Sequence, residues 1–172
     1  GSPGIYMGWG HMTGGNNATW EEAKLRLLNY LTLNPTILAH NIGFDAEVAL
    51  QHLGVDLAGY SWDDTQVMAF HADPHSPSLA LKPLATRYLK EPPEEADAVR
   101  EWLIDAKIVR RSATASWGAH ISKAPGSIVG PYAVGDVDRT YRLFKHFKAL
   151  TKNEGYRRDI LATKVGLKMT RA

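Results

Sequence analysis

The sequence contains no cysteine. That excludes a disulfide framework, a zinc knuckle, an iron–sulfur cluster and a thiol nucleophile, and leaves carboxylates and histidines to hold any metal. No run of about eighteen apolar residues is present to span a bilayer, so no membrane is expected among its partners. Nothing at the N-terminus joins a basic head to an apolar stretch, so a secretory leader is not expected. The patterns Gly-x-Ser-x-Gly, Gly-x-x-x-x-Gly-Lys and Gly-x-Gly-x-x-Gly are missing, which removes the common nucleophile, P-loop and dinucleotide readings. His-Glu-x-x-His is missing too, and Pro74 between His71 and His75 argues against a shared helical face. Residues 1–20 carry no Asp or Glu.

What is present fits one ordinary domain: 172 residues, 44% hydrophobic and 22% charged, enough to bury a core without a staple. The formal charge of +2 hides a gradient. Residues 139–172 hold ten Lys or Arg against Glu154 and Asp159, about +8, so the remaining 138 positions balance near −6. A basic tail of this kind reads either as a track for nucleic-acid phosphates or as the solvated face of long helices.

The local signals predict an α/β chain. Ile5–Trp9 reads as a short strand and His11–Asn17 as a loop. Thr19 followed by Glu22 forms a capping box for a helix to about Leu33, with Leu25, Leu27, Leu28 and Leu31 as its apolar face. Thr36–Ala39 reads as a buried strand. A loop through Asn41 and Asp45 then leads into a helix over 46–53 that Gly54 closes. Asp63-Asp64 caps a helix from Thr65 to Ala72, and another runs over 79–89. Pro92-Pro93 opens a helix with Glu94, Glu95 and Asp97 in its first turn, carrying Trp102 and Leu103 inward. Residues 107–130 read as irregular. A long helix begins at Pro131, and Gly155 separates it from a last helix over 156–172. Trp20, Trp62 and Trp102 read as packing residues, while Trp117 fits packing and base stacking equally.

Two segments place an acid at the mouth of a helix: Asn41-x-x-x-Asp45 after a strand, and Tyr132-x-x-x-Asp136. A spacing of four puts Tyr132 and Asp136 side by side on one helical face. Hard oxygen donors of this type suit Mg²⁺ or Mn²⁺, and phosphodiester hydrolysis is the natural reaction. Each pair also has a structural reading, since Asp45 would stabilise the start of its own helix.

Taken in order, these segments resemble the proofreading 3′–5′ exonuclease domain of family A DNA polymerases, in the tyrosine branch of the DEDD superfamily. Leu38-Ala39-His40-Asn41-Ile42-Gly43-Phe44-Asp45 is similar to that family's second motif, and the stretch from Pro131 to Thr140 to its third. Asp64–Ala69 and Ser78–Ala85 are similar to the two helices between them. The segment Trp117–Gly126 looks closest to phage-type members. The resemblance covers roughly residues 19–150 and implies a ribonuclease-H-like fold, a mixed sheet flanked by helices. It implies an exonuclease-like domain over 1–153 and, over 154–172, a basic helix leading toward a polymerase domain. It implies a single-stranded DNA 3′ end as substrate and a two-ion Mg²⁺ or Mn²⁺ site. Asp45 and Asp136 would be metal ligands, Tyr132 the phenol orienting the attacking water, and Asn41 and Phe44 neighbours of the terminal nucleotide. Arg110, Arg111 and Lys123 would guide DNA, with a flexible basic loop as the equal alternative. Asp138 is a rival ligand, but the Tyr-x-x-x-Asp pattern selects Asp136 and leaves Asp138 facing solvent. A cytoplasmic setting, in a bacterial or phage-infected cell, follows from the replication role.

The family's first motif, an Asp-x-Glu on the first strand, has no counterpart in the acid-free residues 1–20. The fold is therefore expected to lack its first strand, and the metal site two of its four carboxylates. The missing strand would come from a separate polypeptide, a swapped copy or an upstream segment. Two further readings stand beside the exonuclease: a nucleic-acid-binding or structural module of the same fold without a complete metal site, and a ribonuclease using the same residues.

Overall fold

The computed structural model describes residues 4–92, 98–112 and 117–169, and no helix among them is long and apolar enough to cross a membrane. It divides into two compact units, one made of residues 1–25 with 94–137 and the other of 26–93 with 138–172. Helices dominate both, and the described sheet consists of two parallel strands.

In the second unit, strand β1 (Thr36–Ala39) pairs in parallel with β2 (Ser61–Asp64), Thr36 opposite Ser61 and Ala39 opposite Asp64. A parallel pair needs a crossover, supplied by helix α2 (Ile42–Val48) and the wider helical turn Ala49–Leu53. Gly54 ends that turn at φ 65°, the left-handed geometry that glycine adopts without a Cβ penalty. Helix α3 (Thr65–Ala72) follows β2 directly, and α4 (Leu81–Leu89) comes next. Ile42, Ala46, Trp62, Met68, Leu84, Leu143, Tyr156 and Ile160 make the dry centre of this unit. Trp62 is 1% exposed and donates its indole N–H to Leu57 O, so its one polar atom is satisfied inside the core.

The far edge of β2 is closed by helix α7 (Glu154–Met169). The Tyr156 hydroxyl accepts from Asp64 N at 3.0 Å, and Arg157 donates to Trp62 O at 3.3 Å. Residues 62 and 64 point the same way from a strand, so these two side chains meet backbone groups on that edge. Among the described residues no strand pairs with the other edge of β1.

The first unit is built on helix α5 (Ala98–Asp105), a 3-10 helix over Trp117–Lys123 and the N-terminal part of α6 (Gly126–Phe147). Its core gathers Val99, Leu103, Val109, Ala124 and Val129. The N-terminal segment is laced onto this core. Met12 N donates to Ser122 O, the Thr13 hydroxyl to Lys123 O, and Gly126 N to Gly14 O. His11 Nδ1 meets Ala124 O at 2.8 Å, which makes Nδ1 the protonated nitrogen and turns Nε2 into the acceptor for the Tyr6 hydroxyl. A Cβ on Gly15 would stand 2.7 Å from Gly126 N, so backbone meets backbone here.

Several expectations are corrected. Ile5–Trp9 is not a strand: the Asn17 side chain accepts from Gly8 N at 2.7 Å and donates to Tyr6 O at 2.9 Å, so this backbone is satisfied by an amide side chain instead of a ladder. Helix α1 (Trp20–Leu31) starts from the expected box, Thr19 and Glu22 bonding reciprocally. Its buried apolar positions are Ala23 and Leu31 with Leu27 half-buried, a spacing of four, while Leu25 and Leu28 are exposed. Trp20 is also exposed, with the Lys24 ammonium over its ring. Strand β2 carries no alternation in its Ser-Trp-Asp-Asp sequence and was not expected. The stretch 107–130 is not irregular throughout, because the 3-10 helix and the start of α6 lie within it. Helix α6 begins at Gly126, not Pro131; the proline sits early in the helix, where it removes one N–H. Gly155 lies inside α7 instead of separating two helices. Asn153 caps α7 by accepting from Tyr156 N at 3.0 Å, and the break is the 3-10 turn Lys148–Lys152 before it. The expected helix start at Pro93 with Glu94, Glu95 and Asp97 lies outside the described residues.

Because Gly126 meets the Gly15 carbonyl within van der Waals distance of where its own Cβ would be, Gly126→Ala must push backbone apart. Urea denaturation should show a loss of about 1–3 kcal/mol, whereas Gly118→Ala, which meets nothing within 4 Å, should leave the midpoint nearly unchanged.

Candidate active site

Asp45 occupies the first turn of α2, and its position depends on a carboxylate elsewhere in the chain. The first turn of a helix leaves backbone N–H groups without intrahelical acceptors. Asn41 N donates to Asp64 Oδ1 at 3.0 Å and Ile42 N to Asp64 Oδ2 at 2.9 Å. The same carboxylate caps its own helix, accepting from Gln66 N at 2.8 Å and Val67 N at 3.4 Å. Four backbone donors therefore converge on one side chain that is 3% exposed. With those donors satisfied from β2, helix α2 starts at Ile42, four residues before the expected helix, and Asp45 lies within it instead of on a loop.

Asn41 itself adopts φ 67°, ψ 56°, a left-handed conformation that Asn tolerates better than other non-glycine residues. Its side chain makes no cap bond and is exposed. Phe44 is 65% exposed. Asn41, Phe44 and Asp45 thus share the open start of α2, an apolar ring beside a polar amide and an acid.

Asp45 is exposed, yet its carboxyl is pushed up to about 6, first by burial of its inner side and then by repulsion from Asp64. The helix N-terminus acts the other way and is outweighed. Water on the open side screens part of both effects. His40 stands beside this turn, its ring nitrogens meeting the Thr65 hydroxyl and Leu79 O, each at 2.9 Å.

In the other unit, Tyr132 and Asp136 lie one turn apart on α6, both half-buried. Trp117 meets Tyr132 edge-on with ring centres 6.2 Å apart, so the aromatic that fitted two roles contributes to packing here. Asp138 is exposed and pairs with Arg142 at 3.4 Å. Arg110 and Arg111 are exposed; Arg111 reaches Glu101 at 3.0 Å, and its carbonyl accepts from Arg100. Lys123 is half-buried at the end of the 3-10 helix.

A family profile described as 3′-5′ exonuclease matches residues 16–152. The chain belongs to the 3′-5′ exonuclease family. No curated protein and no solved structure matches it. The matched exonuclease segment contains Asn41, Phe44, Asp45, Asp64, Tyr132 and Asp136, and it ends before α7.

Exonucleases of this family generally depend on divalent metal, so the donor set matters. Among the described residues no three His, Cys, Asp or Glu side chains gather to hold a metal ion. Asp64, the acid that raises Asp45, has both oxygens committed to backbone N–H groups. The donors described in this exonuclease chain therefore do not fit a complete metal site. Sequence reasoning missed the larger role of Asp64: its cap of α3 was legible, but nothing in the sequence ties it to a turn more than twenty residues earlier.

Removing the carboxylate in Asp64→Ala leaves buried N–H groups on two helices without acceptors, and urea denaturation should register a loss of about 3 kcal/mol. Asp45 gives the opposite sign. Its raised folded-state pKa means that ionisation works against the fold above about pH 6, and this penalty vanishes as the pH drops below the ordinary carboxylate range. Asp45→Asn should therefore melt higher than the parent at pH 8 in metal-free buffer, with the difference closing toward pH 4.

Proposed function

We propose that this chain is the proofreading-type exonuclease domain of a phage-type family A DNA polymerase, removing 3′-terminal nucleotides from single-stranded DNA. The observation that carries the reading is the start of α2. An acid, an exposed aromatic ring and an amide share one helix mouth fixed by Asp64, within a segment belonging to the 3′-5′ exonuclease family. Phe44 would stack on the terminal base, and Asn41 would hydrogen-bond it or its sugar. Asp45 and Asp136 are the two acids this chain would bring to a Mg²⁺ or Mn²⁺ site, and Tyr132 the phenol that orients the attacking water. Arg110, Arg111 and Lys123 would guide the strand, with Arg111 exchanging its Glu101 partner for phosphate. The fold is read as ribonuclease-H-like over 1–153, with the basic helix over 154–172 leading toward a polymerase domain.

The donor shortfall is part of the proposal. The remaining two carboxylates would come on a strand, from an upstream segment or a partner chain, added to the edge of β1. Support for that edge is the sealing of the other one by Tyr156 and Arg157. The same shortfall favours a second reading, a nucleic-acid-binding module of this fold that does not cut.

Trimming of a 5′-labelled single-stranded DNA with Mg²⁺ or Mn²⁺ separates the two. The exonuclease reading expects divalent-dependent shortening from the 3′ end, reduced at least about a hundredfold in Asp45→Ala and in Asp136→Ala. Binding of the same oligonucleotide with undiminished affinity in EDTA, and no shortening by the parent chain, would establish the binding module instead.

A further inference from the structure

Helix α7 lies beyond the family-matched segment, yet Tyr156 on it is fully buried in the core of the second unit. Its hydroxyl does two things. It accepts from Asp64 N at 3.0 Å and donates to Asp63 Oδ1 at 3.0 Å, bridging the last two residues of β2. Asp63 is held a second time by Arg157 at 3.1 Å. Burial pushes the phenol upward, so it keeps its proton through the whole working range and remains both donor and acceptor.

The placement of α7 is specified on both sides of this contact. Asn153 caps its first turn through Tyr156 N, and Gly155 lets it approach His71, where a Cβ would stand 3.2 Å from the ring. His71 in turn meets Asp159 at 2.8 Å. One turn beyond Asp159, Thr163 lies against Gly43 of α2, 3.4 Å from where a Cβ would sit. Helix α7 thus touches the end of β2 and the first turn of α2 at once.

Resting on the reading that Asp45 works at the 3′ end, we infer that Tyr156 is a positioning residue for Asp45. Its hydroxyl fixes the backbone of Asp64, whose carboxylate holds the first turn of α2. The chain of contacts is short and continuous: Tyr156 Oη, Asp64 N, the Asp64 carboxylate, then Asn41 N and Ile42 N. A residue outside the matched exonuclease segment is therefore part of the apparatus that aims its acid, and whatever bears on α7 bears on Asp45.

Tyr156→Phe tests this in the full chain, because it keeps the ring in the core and deletes only the bridging oxygen. Ile160→Val is the comparison: it weakens packing of the same helix and leaves the hydrogen bonds of Asp64 in place. Backbone amide NMR should show the Asn41 and Ile42 resonances moving in Tyr156→Phe and standing still in Ile160→Val. On the trimming substrate, Tyr156→Phe should lower kcat about tenfold with KM nearly unchanged, and Ile160→Val should alter neither. Movement confined to the Asp63 and Asp64 amides, with Asn41 and Ile42 unshifted, would overturn the inference and make Tyr156 a core residue only. If instead Asp45→Ala trimmed as fast as the parent, the functional reading would fail, and the amide result would still decide whether Tyr156 positions Asp45.

Discussion

One carboxylate organises the part of this molecule that carries the candidate residues Asn41, Phe44 and Asp45. Two helices begin near the C-terminal ends of β1 and β2, and each presents N–H groups that its own turns cannot satisfy. Asp64 accepts from both, so the strand that carries it, the helix it caps and the helix that bears Asp45 are held to one another by a single buried side chain. Gathering four donors around one anion is favourable because charge-assisted bonds are about twice as strong as neutral ones. It also engages both Asp64 oxygens with backbone N–H groups, and among the described residues no three metal-binding side chains gather.

The same logic extends outward from that carboxylate. Backbone groups on the far edge of β2 meet the Tyr156 hydroxyl and the Arg157 guanidinium, and Lys164 reaches back to Tyr60 O. Much of the basic C-terminal charge is therefore internal fastening: Arg139 and Arg142 both pair with Glu91, and Arg157 with Asp63. Arg158 and Lys168 remain outward and exposed. The exposed charges fit the solvated-face reading of the gradient, while the internal pairs belong to neither reading of it. Among the described residues every buried side-chain polar atom has a hydrogen-bond partner, as a closely built polar network requires.

Elements whose signals are local were legible from the sequence. The Thr19–Glu22 box, the Thr36–Ala39 strand, the Gly54 stop and the Asp64 cap of α3 each depend on residues within a few positions of one another. The failures share a cause, which is that distant residues supplied what the local sequence lacked. Helix α2 begins early because Asp64 provides its acceptors. Ile5–Trp9 fails as a strand because Asn17 satisfies its backbone. For the candidate site, Asn41 and Asp45 were read from their spacing after a strand and Tyr132 with Asp136 from a helical repeat, while Phe44 came only with the family resemblance. Asp64 and Tyr156 were not found for it, since a buried acceptor and a buried hydroxyl carry no periodic signature.

Amide hydrogen exchange at Asn41, Ile42, Gln66 and Val67 tests the central claim most directly. First-turn amides ordinarily exchange fast for want of an acceptor. If Asp64 holds both helices, all four are protected like the core and all four lose protection together in Asp64→Ala. Fast exchange at Asn41 and Ile42 beside slow exchange at Gln66 and Val67 would contradict the account, reducing Asp64 to the cap of its own helix.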